Sequence, residues 1–291
     1  MYESNPADLC ADLFYLVAFP EHKLGKNVLG TRDSVNSMTP DMLRKHMDRF
    51  YSPASTVACF CGKFERDKII ALCKRYFSSP ANKGAIPVLP KADFCPGVHI
   101  FDKKTEQNQI VIGFSAPSLG SDSRFACQLI ASMLGGSASS RLFRRLREEQ
   151  GLVYSVDACA SSYLSAGVFA VSMGVSHESE KKAVLTAAEV LREFPDTVTE
   201  EELDLARDHY LSGLIMSLES NSARAARYGT GELLLGGAIS EKELEEKIRG
   251  VSIDEIRSLA RSFSSLSDAC ICAVGRTAGA KFYNKVVSGK K

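Results

Sequence analysis

Residues 39–62 and 252–275 align without a gap at an offset of 213, and this internal repeat constrains the fold more than any single motif. Asp41 matches Asp254, Arg44 matches Arg257, Phe50 matches Phe263, Ser52 matches Ser265, Cys59 matches Cys272 and Gly62 matches Gly275. Each copy reads as a capped helix, a short loop and a strand ending in glycine. Two unrelated helix–strand units would share part of this pattern. Taken as a repeat, the second copy runs over residues 98–275, and the offset puts the start of the first about 115 residues before Met1. The first domain would then be present only as its tail.

The periodicity elsewhere fills in both parts. Apolar residues three and four apart, after Ser, Thr, Asp or Pro starts, predict helices over 6–18, 39–50 and 65–77, with a buried strand over 56–61. Residues 78–97 concentrate four prolines and two glycines with little periodicity, the composition of an interdomain linker. Beyond it the pattern predicts strands at 98–101 and 107–115, helices at 122–134 and 139–150, then a hairpin of strands at 152–162 and 167–176. Helices are expected at 178–193, 200–219, 221–234, 241–248 and 253–263, and a last strand at 269–274. Paired strands succeeded by a run of helices predict an α+β fold, an α/β sandwich with a mostly antiparallel sheet and helices on one face. The expected division is a remnant of a first domain over 1–80, a linker at 81–97 and one complete domain over 98–291.

Charge and composition exclude several functions. Lys and Arg number 36 against 35 Asp and Glu, so the net charge of +1 gives no electrostatic reason to bind nucleic acid or an anionic membrane. The longest apolar run near the N-terminus is too short to span a bilayer, and no secretion signal precedes it, so a cytoplasmic address and no membrane partner are expected. The nine cysteines are scattered without any C-x-x-C pair and read as small buried hydrophobes in a reducing compartment. Cys59 with Cys61, and Cys270 with Cys272, would share strand faces, where a metal clip is the rarer outcome. None of the five histidines lies four residues from another, and neither H-x-x-E-H nor H-E-x-x-H occurs. No metal ligand is assigned.

The richest local pattern is GGSASSRLFRRLREEQGLVYSV, residues 135–156. Gly135-Gly136 after an apolar helix reads as a helix stop with a left-handed residue, or as a loop that lets a peptide backbone pass closely; both can hold. Ser139 reads as the cap of the next helix and not as a nucleophile. Leu142, Phe143 and Leu146 form its apolar stripe. Arg147, near the helix end, and Tyr154, on the strand beyond, have ordinary roles open to them: a cation complementing the helix dipole and a strand residue with a buried ring.

The pattern resembles the Gly-Gly-x-x-Ser-Ser-Arg-Leu-Phe…Leu-Arg…Gly-Leu-x-Tyr-Ser-Val signature in the C-terminal homologous domain of the insulinase/pitrilysin-like zinc metallopeptidases, which include the mitochondrial processing peptidases. The opening residues, and Leu24-Gly25-Lys-Asn-Val-Leu-Gly30, resemble the family segment just after the third zinc ligand. The resemblance implies two homologous domains facing one another across a cleft, with zinc and the general base of the H-x-x-E-H motif in the part this chain lacks. It implies catalytic roles for Arg147, holding a substrate carbonyl, and for Tyr154, supporting the oxyanion. It makes Gly135, Gly136, Ser140 and Arg141 candidates for substrate binding. The expected protein is the C-terminal portion of a zinc metalloendopeptidase that binds an extended peptide and is inactive alone. Its partner would be the missing zinc-binding domain or a homologous subunit. The alternative is a non-catalytic peptide-binding or scaffold subunit of the same fold.

Overall fold

In a computed structural model, residues 5–77 and 89–289 are described. Most of the expected linker, residues 78–88, lies outside them. In chain order the helices are α1 (Pro6–Ala18), α2 (Arg32–Asn36), α3 (Pro40–Phe50) and α4 (Arg66–Phe77). Strands β1 (Gly97–Asp102) and β2 (Asn108–Ala116), helix α5 (Ser123–Gly135) and a π-helix (Phe143–Glu148) come next. The hairpin β3 (Val153–Ser162) and β4 (Gly167–Val175) leads to α6 (Glu180–Thr197), α7 (Glu200–Ser217), α8 (Asn221–Leu235), α9 (Glu241–Gly250) and α10 (Ile253–Arg261). Strand β5 (Cys270–Gly275) and helix α11 (Ala280–Val287) close the chain. Two compact units result: residues 1–28, 90–210 and 246–291 form one, and residues 29–89 and 211–245 the other.

The first unit holds a five-stranded sheet of order β1-β5-β2-β4-β3, in which only β1 and β5 are parallel. The mixed α/β, mostly antiparallel architecture expected from the sequence is present. One sheet face buries Ile110, Ile112, Phe114, Phe169, Val171 and Ile271. Phe263, just past α10, stacks on Phe169 with ring centroids 4.5 Å apart. The opposite face differs from the expectation of helices on one side only. Cys10, Phe14 and Ala18 of α1, with Phe19, form a second core against Val111, Val168, Ala170, Cys270, Cys272 and Val274. The cause lies in the central strands: β5 is apolar on both faces and β4 and β2 add Val168, Ala170 and Val111 to the second, so a single helical layer would leave that face wet.

Helix α11, which the periodicity did not predict, is held by a buried polar cluster. The Glu180 carboxyl accepts hydrogen bonds from Tyr283 Oη at 2.5 Å, Asn108 Nδ2 at 2.7 Å and the Ala278 N–H at 2.9 and 3.0 Å.

In the second unit, α3 and α8 contain no buried residue, and Met42, Leu43 and Met47 of α3 are exposed. Residues 56–61 correct the sequence reading: they form no strand and are largely exposed. A strand satisfies its backbone through neighbours, as β5 does between β1 and β2, and no strand lies among the described residues of this unit. Cys59 is consequently exposed and Cys61 half-buried, contrary to the expectation of buried thiols, whereas Cys10, Cys127, Cys270 and Cys272 are buried and free. Cys159, on β3, is exposed as well.

Candidate functional site

Three irregularities in succession position the Arg147–Tyr154 pair. The first is the π-helix, where the Glu149 N–H reaches back five residues to the Arg144 carbonyl at 2.9 Å. One extra residue per turn rotates the downstream side chains relative to an ordinary helix, and such turns cluster at functional sites. The second is Gly151, at φ +60°, a left-handed turn that strains any side-chain-bearing residue. Its N–H bonds the Arg147 carbonyl at 3.1 Å, and the Leu152 N–H bonds the Leu146 carbonyl at 2.8 Å, stopping the helix. The third is a β-bulge. Val153 pairs with Val175 and Ser155 with Gly174, so Tyr154 is the extra residue on β3. Bulges re-aim side chains: Val153 and Val156 both stay buried while Tyr154 turns outward, 57% exposed.

The outcome is an exposed pair. Arg147 Nη1 donates to the main-chain carbonyl of Tyr154, and the guanidinium lies over the Phe143 ring at 5.4 Å. The Tyr154 hydroxyl engages no other described side chain. Among the described residues, strand β3 is an edge of the sheet. Along it, Gln128 Nε2 donates to the Ala160 carbonyl at 2.9 Å. Burial raises the Asp157 carboxyl above the ordinary range, partly offset by a hydrogen bond to it from the Ala158 N–H.

Helix α5 stops at the Gly135–Gly136 pair as expected, but neither glycine is left-handed, which corrects the expected conformation of that stop. Gly136 has φ −78° and ψ −4°, and its N–H bonds the Ser132 carbonyl at 3.1 Å. Gly135 is required by close approach: a Cβ there would lie 2.2 Å from the Ala158 nitrogen and 2.8 Å from the Asp157 carbonyl carbon. Helix α5 thus crosses β3 backbone to backbone.

Ser139 does not cap the next helix; its hydroxyl pairs with that of Ser137 at 3.0 Å. Ser140 occupies the capping position, its carbonyl accepting the Arg144 N–H at 2.9 Å, while its Oγ, in a residue 3% exposed, finds no protein partner.

Arg141 is committed to structure. Its Nε and Nη2 donate to the two Glu202 oxygens at 2.8 and 2.6 Å, and its Nη1 and Nη2 to the Thr197 hydroxyl and carbonyl at 2.6 and 2.8 Å. The guanidinium also covers the Phe194 ring at 5.0 Å. Burial pushes the Glu202 carboxyl up, but hydrogen bonds from Arg141 and the Thr199 N–H and the charges of Arg141 and Arg144 outweigh it, so its pKa is lowered. Sequence reading missed Gly151, Thr197 and Glu202. The signal for Glu202 was the Thr199-x-x-Glu202 capping box, in which Thr199 Oγ1 accepts the Glu202 N–H at 3.3 Å and Glu202 the Thr199 N–H at 3.1 Å.

Among the described residues, no three His, Cys, Asp or Glu side chains are grouped so that they could hold a metal ion. The residues present do not fit a zinc site, and no step through a metal is assigned to them. No described helix is long and apolar enough to cross a membrane.

Comparisons with known proteins place this geometry. The fold recurs in a peptidase M16 inactive domain from Pseudomonas fluorescens, with TM-score 0.83 at 18% identity over 96% of this chain and 67% of that one. It recurs also in a chain of complex III2 from Candida albicans, with TM-score 0.87 at 18% identity over 98% and 71%. These likenesses show the fold, an α/β domain with a mostly antiparallel sheet. A sequence profile described as the peptidase M16 inactive domain matches residues 37–210. The chain belongs to the peptidase M16 family, as the resemblance to zinc metallopeptidases implied. It is 32% identical to the uncharacterized zinc protease YmxG of Bacillus subtilis over 90% of this chain and 64% of that protein. It is 30% identical to an uncharacterized zinc protease of Mycobacterium tuberculosis over 91% and 62%. The chain therefore spans about three fifths of the length of these relatives.

Proposed function

We propose that this chain is the substrate-holding part of a zinc metalloendopeptidase, with zinc and general base supplied by other polypeptide. The observation that carries the reading is the contact between Arg147 and the Tyr154 carbonyl. An exposed guanidinium, set by a π-helix and a bulge, already binds a main-chain carbonyl at a sheet edge. A peptide lying along that edge presents the same group. Arg147 would hold its carbonyl, and the Tyr154 hydroxyl would donate to the oxyanion that develops in a peptidase. Gly135 lets α5 approach β3, Gly136 and Ser140 shape the loop beside it, and Arg141 anchors the π-helix. By descent, residues 1–80 would be the tail of a zinc-binding homologous domain and 98–291 its complete partner. That α1 packs in the first contact unit is compatible, since a helix can cover a sheet of the neighbouring domain. The free thiols suit a reducing compartment such as the cytoplasm.

The test is retention of a randomised decapeptide library on the immobilised full chain. Wild type should retain peptide. Arg147→Ala and Tyr154→Phe should each retain about tenfold less, with unchanged thermal midpoints. Retention equal to wild type in both variants would refute their roles.

A second reading, a non-catalytic subunit that partners a zinc-bearing homologue, draws on the likeness to a chain of complex III2. Reading the encoding DNA upstream of the Met1 codon separates the two. An in-frame H-x-x-E-H favours the protease, and a stop codon with its own ribosome-binding site favours the subunit.

A further inference from the structure

Helix α3 and the residues after it repeat, element for element, the unit that carries the central strand β5. At the sequence offset of 213, α3 falls on α10, the 3₁₀ turn Pro53–Ser55 on Leu266–Asp268, residues 56–61 on β5, and α4 on α11. Thr39 and Ser252 cap their helices alike, each accepting the N–H of the residue three further on. Gly62 and Gly275 share a backbone conformation that favours glycine, at φ +139° and +136°. What differs is what covers the two copies. Strand β5 lies between β1, parallel to it, and β2, antiparallel, and Ile256 and Ala260 of α10 are 0 and 2% exposed. Their counterparts Leu43 and Met47 are 54 and 52% exposed. Residues 57–61 make no main-chain hydrogen bond with another described residue, and Val57 and Phe60, counterparts of the buried Cys270 and Ala273, are exposed. A cavity of about 680 Å³ on this motif is lined in part by Met47, Tyr51, Ala58, Tyr76 and Phe77. Asp48 is the one charged residue of its lining, and its counterpart Arg261 stays exposed in the second copy, so covering the motif need not bury that carboxylate.

We infer that residues 39–62 are a preformed docking surface for a polypeptide bearing an M16-type sheet that lacks one central strand. Residues 57–61 enter between two of its strands, one parallel and one antiparallel, while Leu43, Met47 and Phe50 cover its apolar face. The inference deepens the reading above and rests on it, naming the surface through which the other polypeptide joins. The second copy carries the argument, because it shows the same motif with its cover in place. Other occupants satisfy less of it. A single extended peptide pairs one edge of residues 57–61 and leaves the α3 strip exposed. A second copy of this chain cannot offer the slot, since its own β5 fills the space between β1 and β2. A lipid surface would take the apolar side chains but leave the main-chain N–H and C=O groups of residues 57–61 without partners in hydrocarbon.

The experiment co-expresses the full chain with a tagged polypeptide comprising the part of the Bacillus subtilis YmxG protein outside the 64% that this chain matches. The two should copurify in equal amounts. Cys59, exposed in the free chain, should then react with iodoacetamide about tenfold more slowly, as its counterpart Cys272 is buried under β1 and β2. Leu43→Asp and Met47→Asp place a carboxylate on the apolar strip at positions this chain exposes, so circular dichroism should be unchanged. Each should recover about tenfold less partner, because docking would bury an unpaired charge. Lys45→Asp, whose counterpart Ser258 is exposed, should recover the wild-type amount. No copurification, Cys59 reacting as fast as in the free chain, or recovery unchanged in both strip variants or equally reduced in Lys45→Asp overturns the docking surface. A dimeric mass for the chain alone, with Cys59 already protected, gives the surface to a second copy and overturns it too. Peptide retention on the immobilised chain judges the substrate-holding reading separately, since Arg147 and Tyr154 are unaltered in every variant.

Discussion

Replacing Gly135 by alanine separates the two roles the glycine pair could have. In a helix, Gly→Ala alone is favourable by about 1 kcal/mol, because alanine loses less backbone freedom. Gly213, within α7, has nothing within 4 Å of a built Cβ, so Gly213→Ala should stabilise by about 0.5–1 kcal/mol. At Gly135 the same gain meets three contacts, at 2.2 Å to the Ala158 nitrogen, 2.6 Å to its Cβ and 2.8 Å to the Asp157 carbonyl carbon. Two of the three are main-chain atoms, which no rotamer change moves aside. Helix α5 must lift from β3, and overpacking of this kind costs about 3 kcal/mol, at the upper end of its range. The net expectation is a loss of about 2 kcal/mol, or a thermal midpoint lowered by about 4–8 °C. Urea titrations of both variants, monitored by circular dichroism, read the two signs against each other. A Gly135→Ala variant as stable as wild type, beside a stabilised Gly213→Ala, would refute the close-packing account and leave passage of the peptide as the reason for the glycine.

Other perturbations act on the contacts already described. Glu180→Gln puts an amide where three donors converge and should cost about 3 kcal/mol, whereas Tyr283→Phe removes one bond and should cost about 1–2 kcal/mol. Both should speed amide hydrogen exchange in α11 before the sheet. Glu202, whose folded pKa lies below its ordinary 4.5, contributes stability that is complete above 4.5 and lost as pH falls through the lowered folded value. Arg141→Ala should flatten that acid limb in urea midpoints taken from pH 3 to 7; an unchanged limb would show that the clamp is not its source. Gly151→Ala, at φ +60°, should cost about 1–2 kcal/mol, and Gly151→Asn less, since asparagine tolerates the left-handed region. Equal midpoints for the two variants would argue against backbone strain there.

The regular parts of the first unit were legible because its helices and strands keep clean periods and caps. Helix α10, for instance, carries the Ser252–Glu255 capping box in the sequence and in the structure. Residues 56–61 have the same apolar character as β5 and yet form no strand, since periodicity reports which residues suit a sheet and not whether neighbours exist to complete one. The second sheet face escaped notice for a related reason. Apolar residues on both sides of β5 signal two buried faces, but nothing in the local pattern says that α1, some 250 residues upstream, covers one of them. Within the candidate site, Arg147 and Tyr154 were singled out through a motif, whereas the partners of Arg141 lie 56 and 61 residues further along and have no local signature.

The departures from regular geometry in this region share one consequence. A regular α-helix leading into a regular strand would direct successive side chains at fixed angles, and a 3.6-residue period was the basis for placing Arg147 at a helix end. The π-turn, the left-handed Gly151 and the bulge at Tyr154 each break that rule, and all three fall between Phe143 and Ser155. Each has a cost in hydrogen-bond geometry or backbone freedom, and the bulge also has a packing role, since it lets Val153 and Val156, three residues apart, both stay buried. What they achieve together is to place a guanidinium against a main-chain carbonyl while the adjacent phenol remains in solvent. The Arg141 clamp fits the same logic, because a π-helix held at its start by four hydrogen bonds tolerates irregularity further along.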